Sequence, residues 1–447
     1  MKTLTDQVDT LFAKWDKPDS PGCALAIILD GENVYRRGYG CADLEHGIPI
    51  STASVFDIAS TSKQFTATCI AILARQGKLS LDDEVRHHIP EMPAYDHPIT
   101  IRHLIHHTSG IRDYLTLMEL AGMRYENEYP VEEVIDLIRR QKELNFEPGD
   151  EHLYSNTGYL LLGEIVKRAS GKTLRAFADE WIFAPLGMKK THFHDDFTEL
   201  VKDRAVGYSA NKDGGFRIDM SIFDVVGDGC VYTTVEDLYL WDQNFYHNNM
   251  GNYGQDLIAE ITTPGRLNDG TELDYAFGLD LEKYRGLELI SHAGDWAGYR
   301  SEMIRFPEQR FSVICLANFS EINPSRLAKQ IADIYLEKAF TEPAEEKREQ
   351  DAVQKPEFPA VDISNDELQE YAGEYASEEL GVPYKLVFGD GRLILIRKDL
   401  RKEILKQTTK DSFNGVEITL QFNRDDKNQI TAFVLDAEGV KNLMFVR

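Results

Sequence analysis

A serine and a lysine three residues apart lie where an extended segment is predicted to run into a helix. The segment 57–67 reads Asp-Ile-Ala-Ser-Thr-Ser-Lys-Gln-Phe-Thr-Ala, and an apolar helical pattern continues to a glycine at 77. Glycine is a good residue just beyond a helix end, so a helix is predicted over about 61–76. Ser60 is predicted to be its N-cap, and Lys63 returns to the same face one turn later.

This S-x-x-K spacing is typical of a nucleophilic serine. A serine hydroxyl is too weak an acid to ionise unaided at neutral pH, and a neighbouring neutral amine can take its proton. The positive end of the helix dipole favours the developing negative charge. A second S-x-x-K, Ser209 to Lys212, runs into an Asp-Gly-Gly turn with no helix to order it. Ser60 and Lys63 are therefore the candidate pair.

Length and charge limit the classes of function. At 447 residues the chain is long enough for two domains. Its net charge of −26, from 49 basic and 75 acidic residues, argues against a nucleic-acid partner. No stretch is long and apolar enough to span a membrane, and the first residues lack an apolar signal core. A cytoplasmic location is expected, or a periplasmic or secreted one if a signal has been removed.

Metal and redox signals are weak. The five cysteines include no C-x-x-C pair and lie mostly in apolar runs, which predicts buried reduced thiols. His103, His106 and His107 are explained by a helix face. His192 and His194 would share one face of a strand, near two aspartates, which makes a metal site conceivable. A solvated strand edge is the preferred interpretation, and neither a metal nor a cofactor is expected.

Hydrophobic patterning predicts an α+β fold. A helix over 4–15 precedes a hairpin, whose strands 23–29 and 33–39 flank an Asp-Gly turn. A helix-rich middle includes amphipathic segments at 130–142 and 160–169. Three strands follow at about 275–283, 287–306 with a break at 294–298, and 311–318, before a helix at 325–340. A five-stranded antiparallel sheet flanked by helices, with a large helical insertion, fits this order.

The last hundred residues change in character. Acidic residues and prolines predict a linker over 341–365. Five short alternating segments, at 371–375, 384–388, 392–397, 418–422 and 430–435, are separated by Gly, Asn and Asp turns. They predict a small antiparallel barrel or sandwich over 366–447, and a β-barrel is the expected form. The predicted domains are therefore 1–340, 341–365 and 366–447.

Two further motifs complete a family pattern. Tyr154-Ser-Asn156 and His292-Ala-Gly294 follow Ser60-Thr-Ser-Lys63 in the order seen in serine penicillin-recognising enzymes. Over about residues 5–340 the chain resembles the branch of class C β-lactamases, D,D-carboxypeptidases, D-aminopeptidases and related esterases. The resemblance implies a β-lactamase/transpeptidase-like fold. The tail is similar, more loosely, to the lipocalin-like barrels appended to some members.

The resemblance also implies roles for individual residues. Ser60, Lys63 and Tyr154 would be catalytic, with Ser60 as the nucleophile and the other two moving its proton. The backbone N–H groups of Ser60 and Asp295 would form an oxyanion hole. Substrate binding and support would fall to Asn156, His292, Ala293 and Gly294.

Two departures from the β-lactamase pattern favour a peptidase or esterase. His292 stands where many β-lactamases carry lysine, and it is charged only in part near neutral pH. Asp295 places an acidic group where a small residue is frequent, which should repel anionic substrates and favour a free amine. The expected function is a serine hydrolase that forms an acyl-enzyme with a small amide or ester, such as a D-amino-acid peptide. A weak β-lactamase and a non-catalytic receptor are the alternatives.

The expected partner is a small-molecule or short-peptide substrate, and a homodimer stays open. The barrel could bind a ligand, cap the active-site cleft, support a dimer or serve as a packing module.

Overall fold

The computed structural model describes residues 3–251, 253–343 and 364–447. Their contacts divide into two compact units. The first comprises the described residues within 1–89, 100–106 and 158–344, and the second those within 90–99, 107–157 and 345–447. The second unit therefore groups only part of the predicted helical insertion, chiefly 107–157, with the C-terminal strands.

The α-helices of the described residues, in chain order, are α1 (Leu4–Phe12), α2 (Lys63–Arg75), α3 (Val85–His88), α4 (Ile101–Ile105), α5 (Tyr114–Leu120), α6 (Val131–Arg139), α7 (Asn156–Ser170), α8 (Leu174–Ala178), α9 (Ala184–Leu186), α10 (Val235–Asn244), α11 (Gly254–Ile261), α12 (Pro324–Tyr335) and α13 (Asn365–Glu370). A 3-10 turn, Ala59–Ser62, precedes α2, and a π-helical turn, Asp179–Phe183, joins α8 to α9.

The strands, in chain order, are β1 (Cys23–Leu29), β2 (Glu32–Tyr39), β3 (Cys41–Asp43), β4 (Ile48–Pro49), β5 (Phe56–Asp57), β6 (His192–Phe193), β7 (Tyr208–Ala210), β8 (Phe216–Ile218), β9 (Val231–Thr233), β10 (Asp280–Tyr284), β11 (Leu287–Trp296), β12 (Tyr299–Phe306), β13 (Phe311–Ala317), β14 (Gly373–Ser377), β15 (Val382–Gly389), β16 (Arg392–Ile396), β17 (Lys402–Thr409), β18 (Ser412–Asn414), β19 (Ile418–Arg424), β20 (Ile430–Ala437) and β21 (Val440–Val446).

An antiparallel sheet in the order β10-β11-β12-β13-β1-β2 organises the first unit. Strand β1 is buried almost throughout, as expected for a central strand covered on both faces. On one face, α1 and α12 contribute Val8, Phe12, Leu327 and Ile331 to a core with the strand side chains. The β1–β2 turn has φ of 52° at Asp30 and 85° at Gly31, the conformation that tight hairpins require.

The predicted α+β architecture is confirmed, with two corrections in the sheet. It has six strands rather than five, because the chain reverses at Ala297–Gly298 and the predicted strand 287–306 becomes the antiparallel pair β11 and β12. The predicted strand 275–283 begins only at Asp280. Gly278 has a φ of 71°, and this left-handed residue turns the chain before β10.

A small second sheet lies next to the candidate nucleophile. Its order is β5-β9-β6, with Asp57 opposite Tyr232 and Tyr232 opposite His192. Because β5 ends at Asp57, this sheet delivers the chain directly into the turn that carries Ser60.

The second unit contains the predicted C-terminal barrel, which closes from β14 to β21 with eight strands. The sequence pattern located five of them and missed β17, β18 and β21. Burial alternates along the strands. The buried ring of Tyr384 contacts that of Phe445, Phe445 contacts Phe433, and Phe433 contacts Phe422. An eight-stranded barrel is just wide enough for side chains to fill it, so its core is a packed one.

A buried ion pair joins the helical segment of this unit to the barrel. Arg112 is fully buried and donates from Nη1 to Glu379 Oε2 at 2.7 Å. It also donates to the backbone oxygens of Lys441 and Asn442, at 3.0 Å each. In a water-free environment these partners are what make a guanidinium tolerable.

Three earlier expectations have different outcomes. Among the described residues, no helix is both long and apolar enough to cross a bilayer. Most of the predicted linker, 341–365, lies outside the described residues, and the domain boundaries at 340 and 365 stay a prediction. All five cysteines are buried free thiols, as the apolar runs indicated.

Neutralising the buried carboxylate should destabilise the protein far more than neutralising its exposed neighbour. Glu379→Gln leaves the Arg112 charge buried, and we expect a loss of about 3–5 kcal/mol. Glu378→Gln is the matched control: its partner Lys142 and Glu378 itself are 63% and 85% exposed. That change should cost less than about 1 kcal/mol. Urea unfolding followed by far-UV circular dichroism measures both, and equal losses would contradict the assignment.

Candidate active site

Ser60 lies inside the 3-10 turn Ala59–Ser62 and not at the N-cap of α2, which corrects the sequence prediction. The residue before it, Ala59, has a φ of 46°, a left-handed conformation that is costly for a residue with a side chain. The Asp57 carboxylate accepts a 2.8 Å hydrogen bond from the Ala59 N–H, which compensates this strain. The nucleophile candidate is thus presented by a strained turn, a feature that clusters at functional sites.

Hydroxyl groups fasten this turn to its surroundings. Ser301 Oγ donates to the Ile58 carbonyl at 2.7 Å, and Thr61 Oγ1 donates to the His292 carbonyl at 3.0 Å. On the other side, Ser62 Oγ accepts from the Val231 N–H at 3.0 Å. These bonds join the turn to β11, β12 and β9, so its position is set by the sheets.

Lys63 is the first residue of α2 and is fully buried. Its Nζ donates to Ser60 Oγ at 3.0 Å and to the Asp228 carbonyl at 2.7 Å. The ring of Tyr159 lies 5.6 Å from the same nitrogen. The three-residue spacing therefore brings amine and hydroxyl into hydrogen-bond contact, which is the geometry a proton acceptor for Ser60 needs.

Strand β11 passes close beside the turn at Gly294. A Cβ at this position would lie 2.1 Å from the Ile58 carbonyl oxygen and 2.4 Å from Ser301 Oγ. Pairing with β10 ends at Ser291, so residues 292–296 extend beyond that strand. The glycine of the third motif is therefore required for the close approach of this strand to the turn that carries Ser60.

His292 is buried, and its environment keeps it neutral. Burial, together with the nearby positive charge of Lys63, lowers the pKa of His292 to about 3. Its Nδ1 lies 2.7 Å from the Ala293 carbonyl, and its Nε2 lies 3.1 Å from the Tyr275 hydroxyl. Nδ1 therefore carries the proton and donates, and the tyrosine donates to Nε2. The sequence had suggested a partly charged residue here.

Asp295 does not present an isolated negative charge. Its carboxylate is 71% exposed and lies 2.7 Å from Nη1 of Arg300, the residue opposite it on β12. The predicted repulsion of anionic substrates is weakened accordingly, because the ion pair has no net charge. Arg300 is further held by the carbonyls of Ala297 and Tyr299.

Tyr154 and Asn156 lie in the second unit. The Tyr154 ring packs 4.3 Å, centroid to centroid, from the ring of His107, and 36% of the residue is exposed. The N–H of Asn156, the first residue of α7, donates to Asp113 Oδ2 at 2.6 Å. Asp113 also accepts from two N–H groups at the start of α5, so one carboxylate organises two helix ends.

The histidines of 103–107 have structural contacts. His103 and Thr100 form a capping box at the start of α4. The His106 ring packs edge-on against Phe277, and His107 Nδ1 accepts from the Ser155 N–H at 3.1 Å. The contact with Ser155 gives His107 a role in shaping the segment that holds Tyr154.

Several residues that shape the site were not anticipated. Asp57, Thr61, Ser301 and the Asp228 carbonyl all hold the turn or the lysine. An aspartate two residues before Ala59 is a typical Asx-turn signal, and the Gly-Asp-Gly at 227–229 is a typical close-approach loop. The other two depend on contacts between distant segments.

Comparison with known proteins identifies the family of the chain. The model of the Beta-lactamase family matches residues 8–336, and the chain belongs to this family. A penicillin-binding protein of Bacillus subtilis strain 168 is 32% identical over 70% of this chain and 72% of its own length. A D-aminopeptidase of Brucella anthropi is 31% identical over 71% of this chain and 59% of its own length.

A solved structure extends the likeness to the whole chain. The octameric penicillin-binding protein homologue from Pyrococcus abyssi superimposes with a TM-score of 0.67, covering 99% of this chain and 100% of that one. At 23% identity this likeness shows the shared fold. The chain spans less than two thirds of the length of the D-aminopeptidase, so that relative's activity is not transferred by the match itself.

Adding one methyl group at Gly294 should move β11 away from the turn and slow acylation. Gly294→Ala would place a Cβ against backbone at 2.1 Å, and a displacement near 1 Å costs about 100-fold in rate. Gly389→Ala, at the end of β15, is the matched control, since a Cβ there meets nothing within 4 Å. The measurement is the rate of modification by a fluorophosphonate. An unchanged rate in folded Gly294→Ala would contradict the close approach.

Asp57 should make stability fall as pH rises. Burial, reinforced by the charge of Asp228, raises the pKa of Asp57 to about 7. Between about pH 4 and 7 the folded state holds a proton that the unfolded chain has lost, so the free energy of unfolding decreases by up to about 4 kcal/mol. Asp57→Asn keeps an acceptor for Ala59 and should remove this contribution.

The test of Asp57 compares the pH dependence of stability in wild type and in Asp57→Asn. Burial also raises the pKa of Asp280 and of Glu302, each to about 7, and both remain in wild type and variant. Urea unfolding at pH 5 and pH 8 should therefore show a smaller decrease in Asp57→Asn than in wild type. Parallel decreases in the two proteins would show that Asp57 does not titrate in this range.

Proposed function

We propose that this protein is a serine hydrolase that cleaves a small amide or ester through an acyl-enzyme on Ser60. The observation that carries the proposal is the 3.0 Å contact between Lys63 Nζ and Ser60 Oγ, made by a fully buried lysine at the start of a helix. Membership of the Beta-lactamase family supports the proposal. The resemblance to serine penicillin-recognising enzymes assigns the nucleophile to this S-x-x-K motif.

Acylation begins with proton transfer from Ser60. In its deprotonated form, Lys63 accepts the hydroxyl proton, and Oγ attacks the substrate carbonyl carbon. The Asp228 carbonyl at 2.7 Å fixes the amine in place, so little reorganisation is needed during the step.

Charge on the substrate oxygen is met by backbone donors. In the proposal these are the N–H groups of Ser60 and Asp295, as the resemblance implies. The close approach of β11 to the 58–62 turn supports this pairing, because the two backbone segments are held together by Thr61 and Ser301. Loss of one such donor in a hydrolase costs about 100- to 1000-fold in rate.

The roles proposed for Tyr154 and Asn156 rest on the family resemblance. Tyr154 would pass the proton to the leaving group and Asn156 would hold the lysine or the substrate amide. Hydrolysis of the acyl-enzyme by water then returns the proton to the site and frees Ser60.

The proposed substrate is a D-amino-acid peptide or amide rather than a β-lactam. One matching relative is named a D-aminopeptidase, and another a penicillin-binding protein. Neutral His292 supplies no positive charge to a substrate carboxylate in the third motif. Weak β-lactamase activity is the second candidate, favoured by the family match alone.

The homodimer and the cytoplasmic location stay predictions. The octameric state belongs to the Pyrococcus abyssi protein.

Ser60 should carry a single covalent adduct with active-site reagents. Intact-protein mass is measured after incubation with a fluorophosphonate and, separately, with a penicillin. One adduct is expected with the fluorophosphonate, lost in Ser60→Ala and retained in Ser209→Ala, which removes the serine of the other S-x-x-K. A lasting penicillin adduct would indicate a penicillin-binding peptidase, and rapid turnover a β-lactamase. Folded wild-type protein that reacts with neither reagent would overturn the proposal.

A further inference from the structure

In the first unit, two imidazoles and a carboxylate converge on one point that has no role in the proposed reaction. His192 lies on β6 and His194 follows one residue beyond it, so their side chains share a face. Glu199 comes from the loop that follows. The imidazoles are not a solvated strand edge, because their side chains are only 19% and 6% exposed.

The three ligand atoms have nearly the separations that a tetrahedral metal ion imposes. His192 Nε2 lies 3.3 Å from His194 Nδ1, and Glu199 Oε2 lies 3.9 Å and 3.8 Å from these two nitrogens. With metal–nitrogen bonds of about 2.0–2.1 Å, the edges of a tetrahedron measure roughly 3.4 Å. Small side-chain adjustments would therefore place all three atoms at bonding distance from one ion.

The imidazoles are in the protonation state that metal binding needs. Burial is the largest cause that lowers the pKa of both His192 and His194, and the nearby charge of an arginine adds to it. The pKa of His192 falls to about 4. Neutral imidazole is the form that binds metal ions.

Neighbouring residues orient the ligands. Arg175 donates to Glu199 from Nη1 to Oε2 at 2.6 Å and from Nη2 to Oε1 at 2.9 Å. Its Nη1 also donates to Asp195 Oδ1 at 3.1 Å. Such outer partners hold a ligating carboxylate in place. The ring of Tyr232 packs 6.0 Å from His192 and 4.5 Å from His194, which fixes the imidazole planes.

We propose that His192, His194 and Glu199 bind one transition-metal dication, with Zn²⁺ the best match to a His₂Glu set. Water would fill the remaining position on the exposed side of Glu199. The positive charges of Arg175 and Arg204 oppose the ion, while Asp195 and Glu199 favour it, so moderate affinity is expected. This departs from the sequence expectation of no metal.

The bound ion would have a structural role. It would join the loop of Glu199 to β6, which pairs with β9 and through it with β5. The proposal is independent of the chemistry of Ser60, and its test does not depend on activity.

The test measures zinc on the full chain. Tag-free protein is stripped with a chelator and dialysed against dilute zinc chloride, and bound metal is counted by mass spectrometry. One bound equivalent per chain is expected in wild type. His192→Asn and Glu199→Gln should each weaken binding by at least about tenfold. His46→Asn is the control, since His46 pairs with Asp43 on the surface and should leave binding unchanged.

A second readout separates a built site from loose binding. Zinc should raise the melting temperature of wild type and of His46→Asn but not that of the two site variants. Cobalt substituted for zinc should give the visible spectrum of a tetrahedral ion in wild type and in His46→Asn, but not in the two site variants. If wild type retains no zinc, or if both folded site variants retain it as tightly as wild type, the proposal is wrong.

Discussion

The short contact between the 58–62 turn and strand β11 is the constraint on which the first unit depends. Two chain segments more than 200 residues apart meet there with no space for a side chain at Gly294. The hydroxyl groups of Thr61 and Ser301 lie between the two segments and donate hydrogen bonds to the backbone carbonyls of His292 and Ile58. The strained backbone at Ala59 persists because these bonds, with the Asp57 carboxylate, over-determine the turn.

Local periodicity explains why part of the site was predictable. Residues three apart lie on the same face of a helix, so the spacing of Ser60 and Lys63 predicted their contact. The turn of the first hairpin was predicted by its Asp-Gly pair. The error at the N-cap arose because a 3-10 turn and a capped helix begin with the same kinds of residue. The count of strands failed at Ala297–Gly298, where a tight reversal resembles an irregularity within one strand.

Other features depend on long-range packing, which a single sequence does not display. The pattern gave His292 a partial charge because its burial and the proximity of Lys63 come from the fold. The same is true of Arg300, which pairs with Asp295 only because β11 and β12 are adjacent. In the barrel, the exposed faces of β17 and β21 include apolar residues, Ile404 on β17 and Met444 and Val446 on β21, which blur the alternation of polar and apolar residues that marks a strand. The 107–157 segment contacts the barrel through Arg112, whose burial no local pattern indicates, and through hydrogen bonds of Leu120 and Asn145.

The buried thiols have a practical consequence. Cys23, Cys41, Cys69, Cys230 and Cys315 are all inaccessible, and burial raises the pKa of four of them, Cys23, Cys41, Cys69 and Cys230. Because thiolates are the reactive form, the cysteines of the folded protein should react slowly with alkylating reagents and mild oxidants. A single cysteine introduced at an exposed position such as Leu400, which is 77% accessible, would then be the one fast-reacting thiol. A fluorophore or spin label could therefore be attached to the barrel without first replacing the native cysteines.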